Sequence, residues 1–168
     1  NYLLNPLNFS INISSKNPKI LVDDKSLDLS DITTNISLKS FINNQISIDD
    51  LKISTKEIQI KDLISLTRTV KASPQIFILD NIVKEGLISA NINLTFDLDG
   101  KIKNNYQING VVKKVKLNIL NQAKIENLNL LFNISNNQLT LRKIETDFNN
   151  LRLKSPLIKI EEKKKIFF

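Results

Sequence analysis

Between Gly86 and Leu98 the apolar residues of this chain occupy every second position. Polar residues, mainly asparagine, serine and threonine, fill the positions between them. A period of two residues over this length is typical of a β-strand with one apolar and one polar face. At ~3.3 Å per residue the strand would be about 40 Å long, whereas average strands have only ~5–6 residues. The chain is therefore organised around one unusually long strand.

The strand returns through Asp99-Gly100, a sequence that favours a two-residue hairpin turn. That turn would place Phe96 opposite Lys103, so an apolar face would meet a polar one. Because register follows the buried face, we expect an odd-numbered loop, either residues 99–101 or residues 99–105. With the shorter loop the predicted cross-strand pairs are Leu94–Tyr106, Ile92–Ile108, Ala90–Gly110 and Ile88–Val112. The small Ala90–Gly110 pair predicts a spot where the sheet could bend.

The rest of the chain follows the same alternation, with one interruption. Residues 1–60 predict N-terminal strands, 61–85 a short helical insertion, 86–160 a long-stranded meander and 161–168 a charged tail. The helical period predicts one helix over 62–71, with Asp62 as its N-cap, and another over 74–81 after Ser73-Pro74. We expect a mainly β fold, a twisted antiparallel meander of about nine strands that forms an open groove or half-barrel, with one or two short helices.

Several positions break the alternation in ways that have a structural meaning. The apolar parity changes before Ile32, at Asp49-Asp50 and at Lys113-Lys114, as β-bulges would produce. Ile58 and Ile60 predict a short strand. Pro156 predicts an edge strand, a bulge or a strand end. Because asparagine tolerates positive φ, two Asn-Asn pairs predict tight turns. The turns at Asn136-Asn137 and Asn149-Asn150 would pair Ile134 with Leu139, Phe132 with Leu141, Phe148 with Leu151 and Thr146 with Leu153.

The composition argues against catalysis. Among the 168 residues there is no cysteine and no histidine, which removes thiolate nucleophiles and the commonest general base and metal ligand. Asp23-Asp24 and Asp49-Asp50 fall at breaks in the alternation, which favours turn and bulge positions over two acids sharing a catalytic site. We find no glycine-rich phosphate loop and no calcium-loop spacing. We therefore expect no enzyme, no cofactor and no metal site.

The net charge of +7 comes almost entirely from lysine. Lys, Asn and Ile share AT-rich codons, so genome composition explains much of this charge. Few arginines and aromatic residues argue against nucleic-acid base readout or base stacking. No apolar run approaches the ~18–20 residues of a membrane helix, and no signal-peptide pattern is visible. We expect the chain to be a segment of a longer protein.

The apolar face has three interpretations. It can pack in a closed core, as the sheet of a structural or scaffolding domain of a large envelope protein would. It can line an open, curved groove for acyl chains, which the long strands, the few short helices and the aliphatic composition favour. It can also belong to an outer-membrane β-barrel, but aromatic girdles are missing and Lys163 to Lys165 crowd the final segment.

Several short motifs resemble the AsmA-like superfamily, which includes TamB and YhdP. They are Val83-Lys84-Glu85-Gly86, Phe96-Asp97 with Gly100-Lys101-Ile102-Lys103, Tyr106, and Gly110 followed by Val111-Val112-Lys113. The resemblance runs from about residue 32 to residue 159 and consists of alternating residues and a few glycines. It implies a periplasmic protein, tethered to the inner membrane by an N-terminal helix and similar to bridge-like lipid-transfer proteins.

The resemblance implies a non-enzymatic β-groove that shields phospholipid acyl chains during transport between the inner and outer membranes. Phospholipid is the expected partner, with membrane contact through segments outside this chain and with other envelope proteins as candidate partners. Lysines at the rim would attract anionic head groups. The residues expected to face the groove are Ile88, Ile92, Leu94, Phe96, Tyr106, Ile108, Leu130, Phe132, Leu139 and Leu141.

Overall fold

A computed structural model describes residues 2–5, 10–22, 25–37, 47–70, 73–119, 123–135 and 138–161. Within these residues the chain forms one open antiparallel sheet and two short helices, as predicted, but the sheet has eleven strands rather than about nine. The strands are β1 (Tyr2–Asn5), β2 (Ser10–Lys16), β3 (Lys19–Val22), β4 (Lys25–Ser37), β5 (Ser47–Thr55), β6 (Ile58–Gln59), β7 (Val83–Thr95), β8 (Gln107–Ile119), β9 (Ala123–Ser135), β10 (Gln138–Phe148) and β11 (Leu151–Glu161). The helices are α1 (Ile60–Val70) and α2 (Pro74–Ile82).

The strand order is β1-β2-β4-β5-β7-β8-β9-β10-β11, with β3 paired to β4 and β6 paired to β7 beside this path. Neighbours in the sheet are thus close in sequence, and from β7 to β11 the chain is a simple meander. The long strand β7 has 13 residues, and so do β4, β8 and β9. β1 was not predicted. The predicted turns at Asp23-Asp24 and Asn136-Asn137 lie outside the described residues.

The two helices form where the period of the sequence changes. α2 begins at the predicted Ser73-Pro74, because the Ser73 hydroxyl accepts a hydrogen bond from the Ile76 N–H at 3.3 Å. The predicted start of α1 is wrong. Its first residue is Ile60, which sequence had placed in a strand, and Asp62 lies inside the first turn rather than at the N-cap. A carboxylate there still stabilises the helix through the helix dipole.

The predicted register of the central hairpin is confirmed in its ladder. Ile92 lies opposite Ile108, Ala90 opposite Gly110 and Ile88 opposite Val112. The predicted loop is wrong, because Phe96 bridges to Ile102 and the Lys103 N–H donates to the Thr95 carbonyl. The tip is therefore residues 98–100, and a second turn at Asn104-Asn105 restores the parity before β8. The predicted Leu94–Tyr106 pair is absent from the ladder.

Most predicted bulges and turns are found. Asp49 is the extra residue of a bulge in β5, because Asn35 pairs with Asp50 while Ile36 pairs with Ile48. Asn149 and Asn150 have φ of 45° and 68°, as a type I′ turn requires, and the ladder pairs expected beside them form. The pairs expected beside residues 136–137 also form. Pro156 lies inside β11, which is an edge strand. Proline has no backbone N–H to donate, and an edge strand, with a neighbour on one side only, tolerates this loss.

A row of irregular positions crosses four neighbouring strands. Gly86 in β7, Lys114 in β8, Asn127 in β9 and Lys143 in β10 all have positive φ, and the register shifts beside them. Bulges bend a strand and increase its twist. Because these bulges are neighbours across the sheet, they define one line along which the sheet bends. Lys113-Lys114, where sequence predicted a bulge, lies on it.

The buried core lies largely beyond this bulge line, towards the helices. The buried apolar side chains among the described residues are Leu29, Ile64, Val83, Val115 and Ile144. A Cβ built on Gly86 would lie 2.6 Å from Val115 Cγ2 and 3.1 Å from Ile60 Cδ1, so helix α1 packs closely on β7 there. The helices pack chiefly against β3, β6, β7 and β8. Neither described helix is long and apolar enough to span a bilayer.

Candidate functional site

The cross-strand register gathers most of the predicted groove residues on one face of the sheet. Ile92 faces Ile108, which faces Ile134, which faces Leu139. The eight predicted residues on this face are Ile88, Ile92, Leu94, Ile108, Leu130, Phe132, Leu139 and Leu141. We call this side of the sheet the apolar face.

The apolar face continues beyond the predicted residues on both sides. Pair by pair, the register builds one uninterrupted row of large aliphatic side chains across six adjacent strands, from β5 to β11. Its members are Ile53, Ile92, Ile108, Ile134, Leu139 and Ile160. On the far side of β5, Ile32 of β4 extends the row by one more strand. At a strand spacing of ~4.8 Å, seven strands span about 30 Å.

No second sheet covers the apolar face in the described part of the chain, because all eleven strands belong to one sheet. Its residues are half-buried against one another rather than buried. At the β11 edge the exposure rises, to 42% for Ile158 and 53% for Ile160. The helices cover the sheet beside the bulge line. Over the part of the sheet built by β9 to β11, no second layer of strands packs among the described residues.

Two predicted groove residues lie elsewhere. Phe96 forms the isolated bridge to Ile102 at the hairpin tip, and Tyr106 precedes the first residue of β8. Both are half-buried at the end of the hairpin rather than in the regular ladder. The cause is the turn at Asn104-Asn105, which takes up residues that a plain hairpin would have paired.

Gly110 is not an empty spot in the apolar face. The ring of Phe132, directly opposite on β9, lies over it, with Cζ 2.8 Å from where a Cβ would be. A ring that packs over a cross-strand glycine compensates for the missing side chain. The small pair Ala90–Gly110 is thus covered by an aromatic ring, which sequence alone did not anticipate.

The opposite side of the sheet, which we call the polar face, carries neutral amides and hydroxyls. Asn91, Asn109, Asn133 and Thr140 are successive neighbours across four strands. A cleft of about 630 Å³ opens on this face. It is lined mainly by polar-face residues, including Ser89, Asn91, Gln107 and Arg142. The alternate positions of these asparagines were visible in the sequence, but only the register places them side by side.

A second polar network lies near the N-terminal strands. The Asn12 amide donates to Asn35 Oδ1 at 2.7 Å, and the Asn35 amide donates to Asp50 Oδ2 at 2.6 Å. Asp50 therefore supports the bulge of β5, as its position in sequence predicted. No group of three or more acidic side chains that could hold a metal ion occurs in the described ranges. Asp23-Asp24 lies outside them.

Many of the basic side chains near the bulge line already have acidic partners. Lys113 pairs with Glu57, and Lys116 lies 3.4 Å from Glu126. Glu145 accepts from Lys154 at 2.9 Å and from Arg152 at 3.4 Å. The Lys154 hydrogen bond and charge, helped by Arg152, lower the pKa of the Glu145 carboxyl below its usual value of 4.5. All these groups are exposed, so the pairs contribute little to stability.

No protein-family model, no curated protein and no solved structure matches the chain. The two faces of the sheet are therefore the features that point to a function.

Proposed function

We propose that this chain is a non-enzymatic module that shields the acyl chains of phospholipids on its apolar face. The observation that carries the proposal is the row of six aliphatic side chains from Ile53 to Ile160, which no second sheet covers in the described part of the protein. A contiguous apolar surface of this extent whose residues are half-buried, with Ile160 exposed at its edge, is unusual in a monomer and marks a site of binding.

The dimensions of the apolar face suit acyl chains. One leaflet of a bilayer contributes half of the ~30 Å hydrocarbon core, so an acyl chain is about 15 Å long. With Ile32 of β4 included, the row crosses seven strands and extends over about 30 Å, as estimated from the strand spacing. From Ile88 to Leu94 the face is seven residues deep, and the six steps between them correspond to roughly 20 Å along the strands. Two chains of one phospholipid fit this surface side by side.

The driving force for binding is the hydrophobic effect. Each Å² of apolar surface removed from water stabilises the bound state by about 25 cal/mol. The half-buried side chains on the face still expose apolar area that a bound acyl chain would cover. An acyl chain has no hydrogen-bonding groups, so the lack of hydrogen-bond partners on the face does not weaken its binding. Polar ligands would gain little here, since the members of the row carry no polar side-chain atoms.

A closed core, the alternative function, would require an additional layer over β9 to β11. Among the described residues only five apolar side chains are buried, and they lie largely at the helix-covered end. The open face therefore favours ligand binding over a purely structural role. By its resemblance to AsmA-like proteins, the proposal includes a periplasmic location, a tether to the inner membrane and transport towards the outer membrane.

Native mass spectrometry and uptake of fluorescently labelled phospholipid test the proposal. Replacing Ile92 and Ile134 by asparagine on the apolar face should reduce uptake by at least about tenfold, since two central contacts would become polar. The matched control replaces Asn91 and Asn133, which neighbour them on the polar face, by alanine. This control should take up lipid like the parent chain.

Two outcomes would contradict the proposal. The first is the absence of co-purified lipid and of phospholipid uptake by the parent chain. The second is a loss of stability of ~2–5 kcal/mol in a urea titration for each of Ile92→Asn and Ile134→Asn, which is typical of a closed core. An open face should tolerate both changes at a smaller cost, because water can reach the new amides.

A further inference from the structure

The cleft on the polar face lies on the side of the sheet opposite the apolar face and has a lining of its own. Its volume of about 630 Å³ is within the ~300–1,000 Å³ of small-molecule sites. Two rows of cross-strand neighbours line it. One is the row from Asn91 to Thr140. The other lies two residues further along each strand and consists of Ser89, Val111, Leu131 and Arg142. We call this site the polar cleft.

Four side-chain amides of the polar cleft retain free hydrogen-bonding groups. Among the described residues, the side chains of Asn91, Gln107 and Asn109 form no hydrogen bond. The Asn133 amide oxygen accepts from the Ser135 hydroxyl at 3.2 Å, and its NH2 group donates to no described residue. In the polar network of the N-terminal strands, by contrast, the amides bond their neighbours at 2.7 and 2.6 Å. We call these four groups the cleft amides; they present donors and acceptors to a ligand.

The chemistry of this lining favours a neutral ligand rich in hydroxyl groups. An amide side chain offers two N–H donors and an oxygen acceptor, and a hydroxyl offers one donor and an acceptor. A ligand that engages both kinds of group at neighbouring positions must itself carry donors and acceptors, as the hydroxyls of a saccharide do. Adjacent strands place the cleft amides ~4.8 Å apart, so one saccharide can bridge several of them. The aliphatic pair Val111–Leu131 lies beside the asparagine row and matches the C–H face of a sugar ring.

Charge and position argue against other occupants. Among the described lining residues, Arg142 alone has an ionic side chain, so an anion would meet one guanidinium beside several amide oxygens. The ring of Phe132 lies over Gly110 on the apolar face, which leaves nucleic-acid bases no aromatic ring to stack on in the cleft. Extended peptides add to a free edge of a sheet, whereas the polar cleft lies over β7 to β10, inside the sheet.

We propose that the polar cleft binds a neutral oligosaccharide through the cleft amides. Thr140, which is 6% exposed, lies at the floor of the site, and the exposed Arg142 adds donors at its rim. The inference goes beyond the proposed function, because it assigns a second ligand to the other side of the sheet and does not depend on lipid binding. A module with these two faces would hold lipid on one side and a glycan on the other.

NMR titration of the ¹⁵N-labelled chain tests the site. The probes are two neutral trisaccharides, chitotriose and maltotriose. At least one should shift the NH2 signals of the cleft amides, with a dissociation constant in the millimolar range, which a few net hydrogen bonds support. The double variant Asn91→Ala, Asn133→Ala should weaken this binding by roughly tenfold or more, because two hydrogen-bonding groups are removed.

A matched control comes from the same strand and the same face. Asn93 lies two residues from Asn91 on β7, opposite Gln107, and is not part of the cleft lining. Asn93→Ala removes an equivalent amide and should leave saccharide binding unchanged. Asn109→Ala provides a second test inside the cleft and should weaken binding by roughly two- to tenfold. A urea titration of each variant shows whether it folds like the parent chain.

Several results would overturn the proposal. These are no shift of the cleft-amide signals with either trisaccharide, full binding by the folded Asn91→Ala, Asn133→Ala variant, or an equal loss in Asn93→Ala. Tighter binding of inorganic phosphate or trigalacturonate than of the neutral sugars would instead assign the cleft to an anion at Arg142. The lipid proposal fails or succeeds separately. The Ile92→Asn, Ile134→Asn variant should lose phospholipid uptake and retain saccharide binding, whereas the Asn91→Ala, Asn133→Ala variant should do the reverse.

Discussion

Replacing Gly110 by alanine should destabilise the sheet at its centre. The φ angle of Gly110 is not positive, so alanine meets no backbone restriction there. The obstacle is space. The added Cβ would lie 2.1 Å from the Ser89 carbonyl oxygen and 2.8 Å from Phe132 Cζ. The first contact is with the backbone of β7, which a side-chain rotation cannot relieve.

The size of the effect follows from these distances. Carbon and oxygen atoms of adjacent strands approach to ~3.3 Å, so β7 and β8 would have to separate by about 1 Å at this position. Overpacking that forces a backbone shift costs typically about 1–3 kcal/mol. For a chain of this length each kcal/mol lowers the melting temperature by roughly 2–4 °C. Phe132 must also move its ring away from the new methyl group.

Urea denaturation followed by circular dichroism measures this loss. Asn109→Ala is the control, because it changes the neighbouring residue on the polar face without adding a Cβ. In the Gly110→Ala background, Phe132→Leu should recover only part of the stability, since the ring contact is relieved and the carbonyl contact remains. If the free energy of unfolding of Gly110→Ala lies within ~0.5 kcal/mol of that of the parent chain, β7 and β8 do not approach each other closely at Gly110.

Three further predictions concern the core, a turn and an ion pair. Leu29 is 1% exposed, so Leu29→Ala should reduce the unfolding free energy by about 2–5 kcal/mol in urea; a smaller loss would show that its site collapses or is open. Asn150→Val should cost roughly 1–2 kcal/mol in the same assay, because a β-branched residue resists its positive φ, and an unchanged midpoint would rule out the type I′ turn. By NMR titration the pKa of Glu145 should lie below 4.5 and rise towards it in Lys154→Ala. Because the folded-state pKa is lowered, the stabilisation is present above pH 4.5 and is lost as the pH falls through the folded-state pKa; a pKa at or above 4.5 would contradict the pairing.

Much of the fold is predictable because alternation fixes parity, and parity fixes which residues meet. The pairing of Ile92 with Ile108 required only that apolar faces match, and it is found. The same reasoning located the bulge at Asp49-Asp50 and the turn at Asn149-Asn150. Parity does not determine how many residues a loop consumes, however. The observed loop has its tip at residues 98–100 and an extra turn at Asn104-Asn105. It pairs residues of β7 and β8 with the same parity as either of the two loops predicted from sequence.

The helical insertion and the polar face show what a single sequence leaves open. Ile60 alternates with Ile58 as a strand residue would, yet it begins α1, where its Cδ1 lies close to Gly86 of β7. Tertiary packing thus overrides a short local pattern. The cleft on the polar face was missed for a different reason. Asparagines at alternate positions look like ordinary solvated residues until neighbouring strands align them.

The bulge line across β7 to β10 explains how one sheet can serve two purposes. At the line, β8 and β10 each carry two consecutive basic residues, Lys113-Lys114 and Arg142-Lys143. A regular strand would turn one residue of each pair into the apolar face, at the cost of burying a charge. A bulge keeps both basic residues exposed and shifts the strand by one residue, so that Val115 and Ile144 beyond it are buried. The doublets thus divide the strands into an open apolar segment and a segment packed in the core. Because the same division occurs in β8 and in β10, on the two sides of β9, the apolar face can remain open while the side chains beyond the bulge line hold the sheet together.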